Sequence, residues 1–219
     1  MTHQPAKAPQ FHFNLSTIAP VGAYRTFCQY RNAMGNFYTN YTVRGAERSA
    51  IIEFMSGRQA IVSPTDQNCV VVFDEESDSQ SPSVVEALGK SLSSELGCTV
   101  LTIVNHDDSI LIYQLIQNGE VIDEYDSCPG YFDFSAAEIE GPSGGDAAKL
   151  CKAFGVDRRE QIERVLRGGI DDYVFAFERH DQLIDALGIS KFGVGTGFAS
   201  FEDGELPDGL ALNEVTRVM

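Results

Sequence analysis

The sequence predicts an α+β domain: an antiparallel sheet built from two helix–hairpin units with both helices on one face, followed by a C-terminal helical and strand extension. Three observations predict it. Apolar runs of strand length flank polar turns, one at Pro64-Thr65-Asp66-Gln67-Asn68 and one at His106-Asp107-Asp108. A segment with helical apolar spacing precedes each pair of runs. Asn118-Gly119 then gives the strongest short hairpin signal, because both residues tolerate positive φ.

Each element has its own warrant. Tyr38 to Val43 is rich in aromatic and β-branched residues and stops at Gly45, so it reads as a strand. Ala46 to Ser56 carries Ala50, Ile51, Phe54 and Met55 at helical spacing and closes at Gly57. Ala60 to Val62 is a short strand and Cys69 to Phe73 a buried one. Ser81 is placed to cap the next helix, with Pro82 at its first position. Val85, Leu88, Leu92 and Leu96 form its apolar stripe, and Gly97 stops it. Thr99 to Val104, Ile110 to Ile116 and Val121 to Tyr125 complete a meander. Residues 34–134 are thereby assigned to the sheet domain.

Beyond it, Ser135 to Gly145 reads as loop. Asp146 caps a helix bearing Ala147, Leu150, Cys151 and Phe154. Asp157 with Glu160 resembles a capping box for a second helix, ended by Gly168-Gly169. Tyr173 to Phe177 reads as a strand, and Leu183, Ile184 and Leu187 mark a third helix ended by Gly188. Phe192 to Phe201 reads as extended. Residues 135–209 are expected to be a helix-rich extension packed on the same domain, and residues 210–219 a tail. Residues 1–33 hold three of the eight prolines and no sustained period, so a disordered extension is expected there.

Charge is the compositional outlier. Among 219 residues, 32 acidic side chains face 16 basic ones, a net charge of −16. Such a surface repels nucleic acid and anionic membranes and favours solubility, basic protein partners and divalent cations. The five cysteines are odd in number and form no C-x-x-C pair, which argues against a disulfide framework or a structural zinc site. Reduced thiols imply a cytoplasmic setting. No apolar run reaches the length of a membrane span, and Met1 to Gln10 lack a secretory signal pattern.

One cluster could carry chemistry. His106, Asp107 and Asp108, joined by Asp74 or Asp126, are candidate ligands for a divalent metal, the only cofactor the sequence suggests. The competing reading is structural, since His, Asp and Asn are also residues that turns prefer. Asp74, Glu75, Glu76 and Asp78 fail the EF-hand pattern, with Ser79 where glycine is needed. Along a strand, Asp123 and Tyr125 point one way, Glu124 and Asp126 the other. Cys128 would need a nearby base to act as a nucleophile, and His106 is the one histidine expected close to it; His180 is expected on a surface helix. Gly193, Gly195 and Gly197 lack the strand–helix context of a dinucleotide fingerprint.

Three stretches, Met34-Gly35-Asn36-Phe37-Tyr38-Thr39, Asn105-His106-Asp107-Asp108 and Asp123 to Phe132, resemble an uncharacterised family of bacterial proteins over Met34 to about Gly209. The resemblance implies a bacterial cytoplasmic protein and supports Met34, rather than Met1, as the start of translation. A start at Met34 would match the myristoylation pattern M-G-x-x-x-[ST], against the alternative of an ordinary strand start. No functional residue is carried over. Two function classes lead: a non-enzymatic acidic domain that binds a basic protein partner, and a divalent-metal-dependent hydrolase using the Asp/His cluster. A structural subunit of a homo-oligomer is the third.

Overall fold

The computed structural model describes residues 35–132, 141–169 and 172–219. The expectation for residues 1–33 lies outside them, as does most of the loop expected over 135–145. Among the described residues, six α-helices and eight strands form a three-layer arrangement around one antiparallel sheet of order β7-β6-β5-β4-β1-β3-β2-β8.

The strands are β1 (Tyr38–Arg44), β2 (Ala60–Val62), β3 (Cys69–Asp74), β4 (Thr99–His106), β5 (Ile110–Gln117), β6 (Glu120–Asp126), β7 (Ser143–Gly144) and β8 (Thr216–Val218). The two expected hairpins, β2–β3 and β4–β5, lie on either side of β1. β1 pairs antiparallel with both β3 and β4, so it is the central strand. Every residue from Tyr38 to Val43 is buried. A strand covered on both faces needs apolar or satisfied side chains on both, which explains the unbroken run Cys69-Val70-Val71-Val72-Phe73 in β3.

One face is covered by α1 (Arg48–Phe54) and α2 (Pro82–Leu96). Ile51, Met55, Val85, Leu88 and Leu92 pack there against Tyr41, Val43, Val70, Val72 and Val100. Both helices therefore lie on one face, as the sequence predicts. Gly97 ends α2 in the left-handed region at φ 60°. Ser81 stands at the N-cap, but its side chain makes no capping bond.

The opposite face carries α3 (Ala147–Phe154), α4 (Arg159–Arg167) and α5 (Ala176–Leu187). Leu150, Phe154, Ile162, Leu166, Leu183 and Leu187 share one core with Tyr38, Leu101, Ile103 and Tyr113 of the sheet. Asp146 caps α3 as expected, accepting from Ala148 N (2.8 Å) and Lys149 N (3.2 Å). α4 starts at Arg159 rather than with an Asp157 capping box, and Arg158 at its N-cap makes no side-chain capping bond. α6 (Phe198–Glu202) covers the β2–β3 end of this face, where Phe198 and Phe201 meet Ile61, Val71 and Phe73.

Three sequence expectations fail here. Tyr173 to Phe177 is not a strand: α5 begins inside it, at Ala176. Its aromatic and β-branched residues suggest a strand, yet Val174 and Phe175 are exposed. Glu178 fixes the helix start by accepting from Val174 N (2.9 Å) and Phe175 N (3.1 Å). Phe192 to Phe201 is not extended: a 3-10 turn spans Lys191–Gly193 and α6 follows. Residues 210–219 are not a loose tail, because Leu210 is buried and β8 pairs with β2.

Arg48 holds β8 in place. Its guanidinium donates to Ser63 O (2.7 Å), Glu214 O (3.1 Å) and Thr216 Oγ1 (2.9 Å), joining the start of α1 to the end of the chain. Replacing Arg48 by Met removes these donors and leaves carbonyl groups unpaired, at a cost of about 1–3 kcal/mol. Amide exchange at Val62 and Val218, which face each other's strands, is expected to speed up in that variant, while exchange along β4–β5 stays at the wild-type rate.

Candidate functional site

The sheet order sets where the candidate residues stand. Asp74 ends β3, His106 ends β4 and Asp126 ends β6, all at the same end of the sheet. One strand intervenes between Asp74 and His106, and one between His106 and Asp126. At about 4.8 Å per strand, each gap is about 10 Å and the whole row about 19 Å. Among the described residues no three His, Cys, Asp or Glu side chains gather to hold a metal ion.

Each carboxylate of the row has local partners. Asp74 is buried, takes a two-pronged bond from Arg58 (2.8 and 2.9 Å), and accepts from Ser77 N (3.0 Å) and Ser77 Oγ (2.7 Å). Asp126 accepts from Cys128 N (2.8 Å), and burial raises its pKa above the usual carboxylate value. Asp108 accepts from Asn36 N (3.2 Å) and Asn105 Nδ2 (2.8 Å). Burial raises its pKa, and those two bonds oppose the rise.

The turn at Asp107-Asp108 explains why acids stand there. Both residues have positive φ, 55° and 50°, and Ser109 N donates to His106 O (3.0 Å). Asp is one of the few residues with a side chain that tolerates this conformation. The Asp108 backbone also receives Ala176 N (2.7 Å), so the turn anchors the first residue of α5.

His106 sits in an aromatic cluster that sequence patterns did not reveal. Its ring meets Phe37 edge-on at 4.7 Å and Phe132 at 5.0 Å, with Tyr131 at 6.2 Å. Phe37 and Phe132 are about half exposed. Gln80 Nε2 donates to Asn105 O (2.7 Å), which leaves its Oε1 to accept from His106 Nδ1 (2.7 Å). The neutral imidazole therefore carries its proton on Nδ1 and its lone pair on Nε2. Burial lowers the His106 pKa, with Asp107 opposing. This imidazole can accept one proton or one ligand bond.

Cys128 is buried, and burial together with Asp126 raises its pKa, which disfavours the thiolate a nucleophile needs. His180 is not on the surface. Its ring is buried, Nδ1 lies 2.9 Å from Tyr38 Oη, and burial lowers its pKa to about 3. Arg179 is buried beside it, donating to Tyr125 Oη and Val165 O (both 2.7 Å) and lying over the Tyr173 ring at 4.2 Å. Gly193 and Gly197 are packed closely by side chains: a Cβ at either would lie 2.8 Å from Asn40 Oδ1 or Asp78 Oδ1 respectively.

A separate cleft of about 730 Å³ opens beside α5. Asp172, Glu178, Asp181 and Asp208 supply four carboxylates, and Tyr173, Val174 and Phe177 supply apolar surface. Lys191 pairs with one of the four, reaching Asp181 at 2.8 Å. The sequence signal for this cleft was weak, because its acids are scattered over 37 positions and meet only through the fold.

No protein-family model, curated protein or solved structure matches the chain. The residues and their geometry therefore carry the functional argument.

Two outcomes test this account of the site. Asp107→Gly keeps the turn conformation and is expected to change stability by less than about 1 kcal/mol. Asp108→Gly also keeps the conformation but loses two bonds and is expected to cost about 1–3 kcal/mol in urea unfolding. The second test concerns His180, whose folded pKa lies below its unfolded value of 6.5. The unfolded chain then binds the extra proton, so the contribution of His180 is fully present above pH 6.5 and is lost as pH falls toward 3. The slope approaches about 1.4 kcal/mol per pH unit. In His180→Gln the difference from wild type should shrink across that window, since the titrations of Asp78, Asp108 and Asp126 are common to both proteins.

Proposed function

We propose that this chain is a non-enzymatic protein-interaction domain that captures a basic partner segment, with the cleft beside α5 as its seat. The single observation that carries the reading is the lining of that cleft: four carboxylates around Tyr173, Val174 and Phe177, of which Asp181 pairs with Lys191. A segment with Lys or Arg beside an apolar side chain matches it in charge and in surface. Exposed Val174 and Phe175 at the rim supply the apolar contact. The net charge of −16 steers basic chains toward the domain from a distance.

Two further observations support this over the metal-dependent hydrolase. The acids of the strand-end row are engaged in turn, cap and ion-pair bonds. They are also spread over about 19 Å, whereas metal–ligand bonds are near 2 Å. A reducing compartment such as the cytoplasm suits the four described cysteines, all free thiols. No helix among the described residues is long and apolar enough to cross a membrane.

The test is fluorescence anisotropy with a labelled Lys/Leu peptide and its Glu/Leu counterpart. The basic peptide is expected to bind, with affinity falling steeply as salt rises. Asp181→Asn with Asp208→Asn should weaken binding about tenfold together, a loss of about 1.4 kcal/mol. Equal binding of the acidic peptide, or a loss produced by His106→Ala alone and insensitive to salt, would overturn the reading.

A further inference from the structure

We infer that the polar pocket at the opposite end of the sheet from His106 binds a small oxyanion, a phosphate or carboxylate group, through Arg44. The pocket, of about 400 Å³, forms where several turns converge: the end of β1, the β2–β3 turn, the α2–β4 turn and the β5–β6 hairpin. Its polar side chains are Arg44, Asn68, Thr99, Gln117 and Asn118, and no carboxylate of the described residues lines it. That is notable in a chain where acids outnumber bases two to one.

The state of Arg44 is what points to a ligand. Four arginines are buried or half-buried among the described residues: Arg44, Arg48, Arg58 and Arg179. Arg48 donates to carbonyl and hydroxyl oxygens, Arg58 to two carboxylates, and Arg179 to a tyrosine and backbone carbonyls. Arg44 has no oxygen acceptor among the described residues. Its neighbours are the Cys69 thiol, the Phe154 ring, 6.0 Å from the guanidinium carbon, and the backbone at Gly155. Sulfur and an aromatic face hold the group in position but do not compensate its charge. A half-buried guanidinium left this way is costly, and an oxyanion relieves that cost with two parallel N–H···O bonds.

The other lining groups can donate as well. Gln117 Nε2 donates to Thr99 Oγ1 (2.9 Å), which frees the Thr99 hydroxyl proton to point elsewhere. Asn68 and Asn118 hold left-handed turn positions, φ 60° and 53°, and bring side-chain amides to the rim. Two features oppose an anion: the carboxyl end of α2 at Gly97, and the overall negative field. The first is about half a charge against a full guanidinium. The second falls off within about 10 Å in 0.1 M salt. Together they set a weak affinity without abolishing it.

The experiment is a nuclear magnetic resonance titration of the full chain with inorganic phosphate and, separately, with succinate, at fixed ionic strength set by sodium chloride. Saturable shifts are expected at the backbone amides of Gly45, Asn68, Cys98, Thr99 and Asn118. Arg44→Gln should weaken binding at least about tenfold, whereas Arg217→Gln, on the exposed surface, should leave it unchanged. Asn68→Gly with Asn118→Gly keeps both left-handed turns and should also weaken binding, which covers the case of an unstable Arg44 variant. Tighter binding of phosphate assigns the site to phosphorylated ligands, and tighter binding of succinate assigns it to carboxylates. Shifts that do not saturate with either ion, that scatter over the surface, or that persist unchanged in the pocket variants would overturn the inference.

Discussion

The structure depends on a central strand that carries polar side chains into a core closed on both faces. Tyr38, Thr39, Asn40 and Thr42 of β1 are all buried. A buried polar group without a partner costs about 1–3 kcal/mol, so each such residue restricts what can pack against it. Asn40 Nδ2 donates to Gly193 O (2.7 Å) and Thr196 O (2.9 Å). Tyr38 meets His180, Tyr41 meets Ser77 Oγ at 2.7 Å, and the Thr39 amide donates to Asp78 Oδ1 at 3.2 Å. The partners come from α5, from the loop before α6 and from the turn before α2. The polar face of β1 thus fixes where the C-terminal half docks, a choice that apolar contacts alone would leave open. Not every polar atom is satisfied: Thr39 Oγ1, Asn40 Oδ1, Asn105 Oδ1 and His180 Nε2 have no protein partner among the described residues. Buried water is the usual companion of such atoms.

This dependence explains what was legible in the sequence. The sheet and the first two helices follow from local apolar period, turn residues and glycine stops, all of which act within a few residues. β3, α2 and the β4–β5–β6 meander are examples. α5 was not legible over its first half because its buried stripe runs through Arg179 and His180. Those residues read as surface until their partners on β1, β6 and α4 are known. β8 was missed for a related reason: Thr216–Val218 is too short to show alternation, and its place depends on Arg48 and on the free edge of β2. The candidate site was legible as a set of residues and as a position, since the strand-end acids do share one end of the sheet. Their separation was not, because β1 enters between β3 and β4, against the order of the chain.

The acids at that end have a common physical origin. Turns that reverse a strand need residues tolerant of positive φ and able to bond the local backbone, and Asp meets both needs. Asp107 and Asp108 meet the first need and Asp126, which accepts from Cys128 N, the second, while Asp74 balances Arg58 in a half-buried ion pair. A row of acids at strand ends is therefore expected of any tight meander. The aromatic cluster around His106 is not explained by turn chemistry. Phe37 and Phe132 remain about half exposed, and large rings left open at a surface more often serve contact than stability.

The acid excess as a whole does not stabilise the fold. Ion pairs such as Lys90–Glu86, Arg167–Glu163 and Lys191–Asp181 are exposed, and pairs of this kind contribute about 0–1 kcal/mol each. Self-repulsion within a chain of net charge −16 acts in the opposite direction, toward expansion. Helix ends account for only a few of the acids: Asp146 caps α3, and Glu160 and Glu178 stand in the first turns of α4 and α5, while α1 and α2 carry none there. The acids not engaged at caps, turns and the Arg58 pair lie at the surface, where their charge acts on what that surface attracts or repels. Its concentration in the cleft beside α5, next to exposed Val174 and Phe175, gives that outward action a direction.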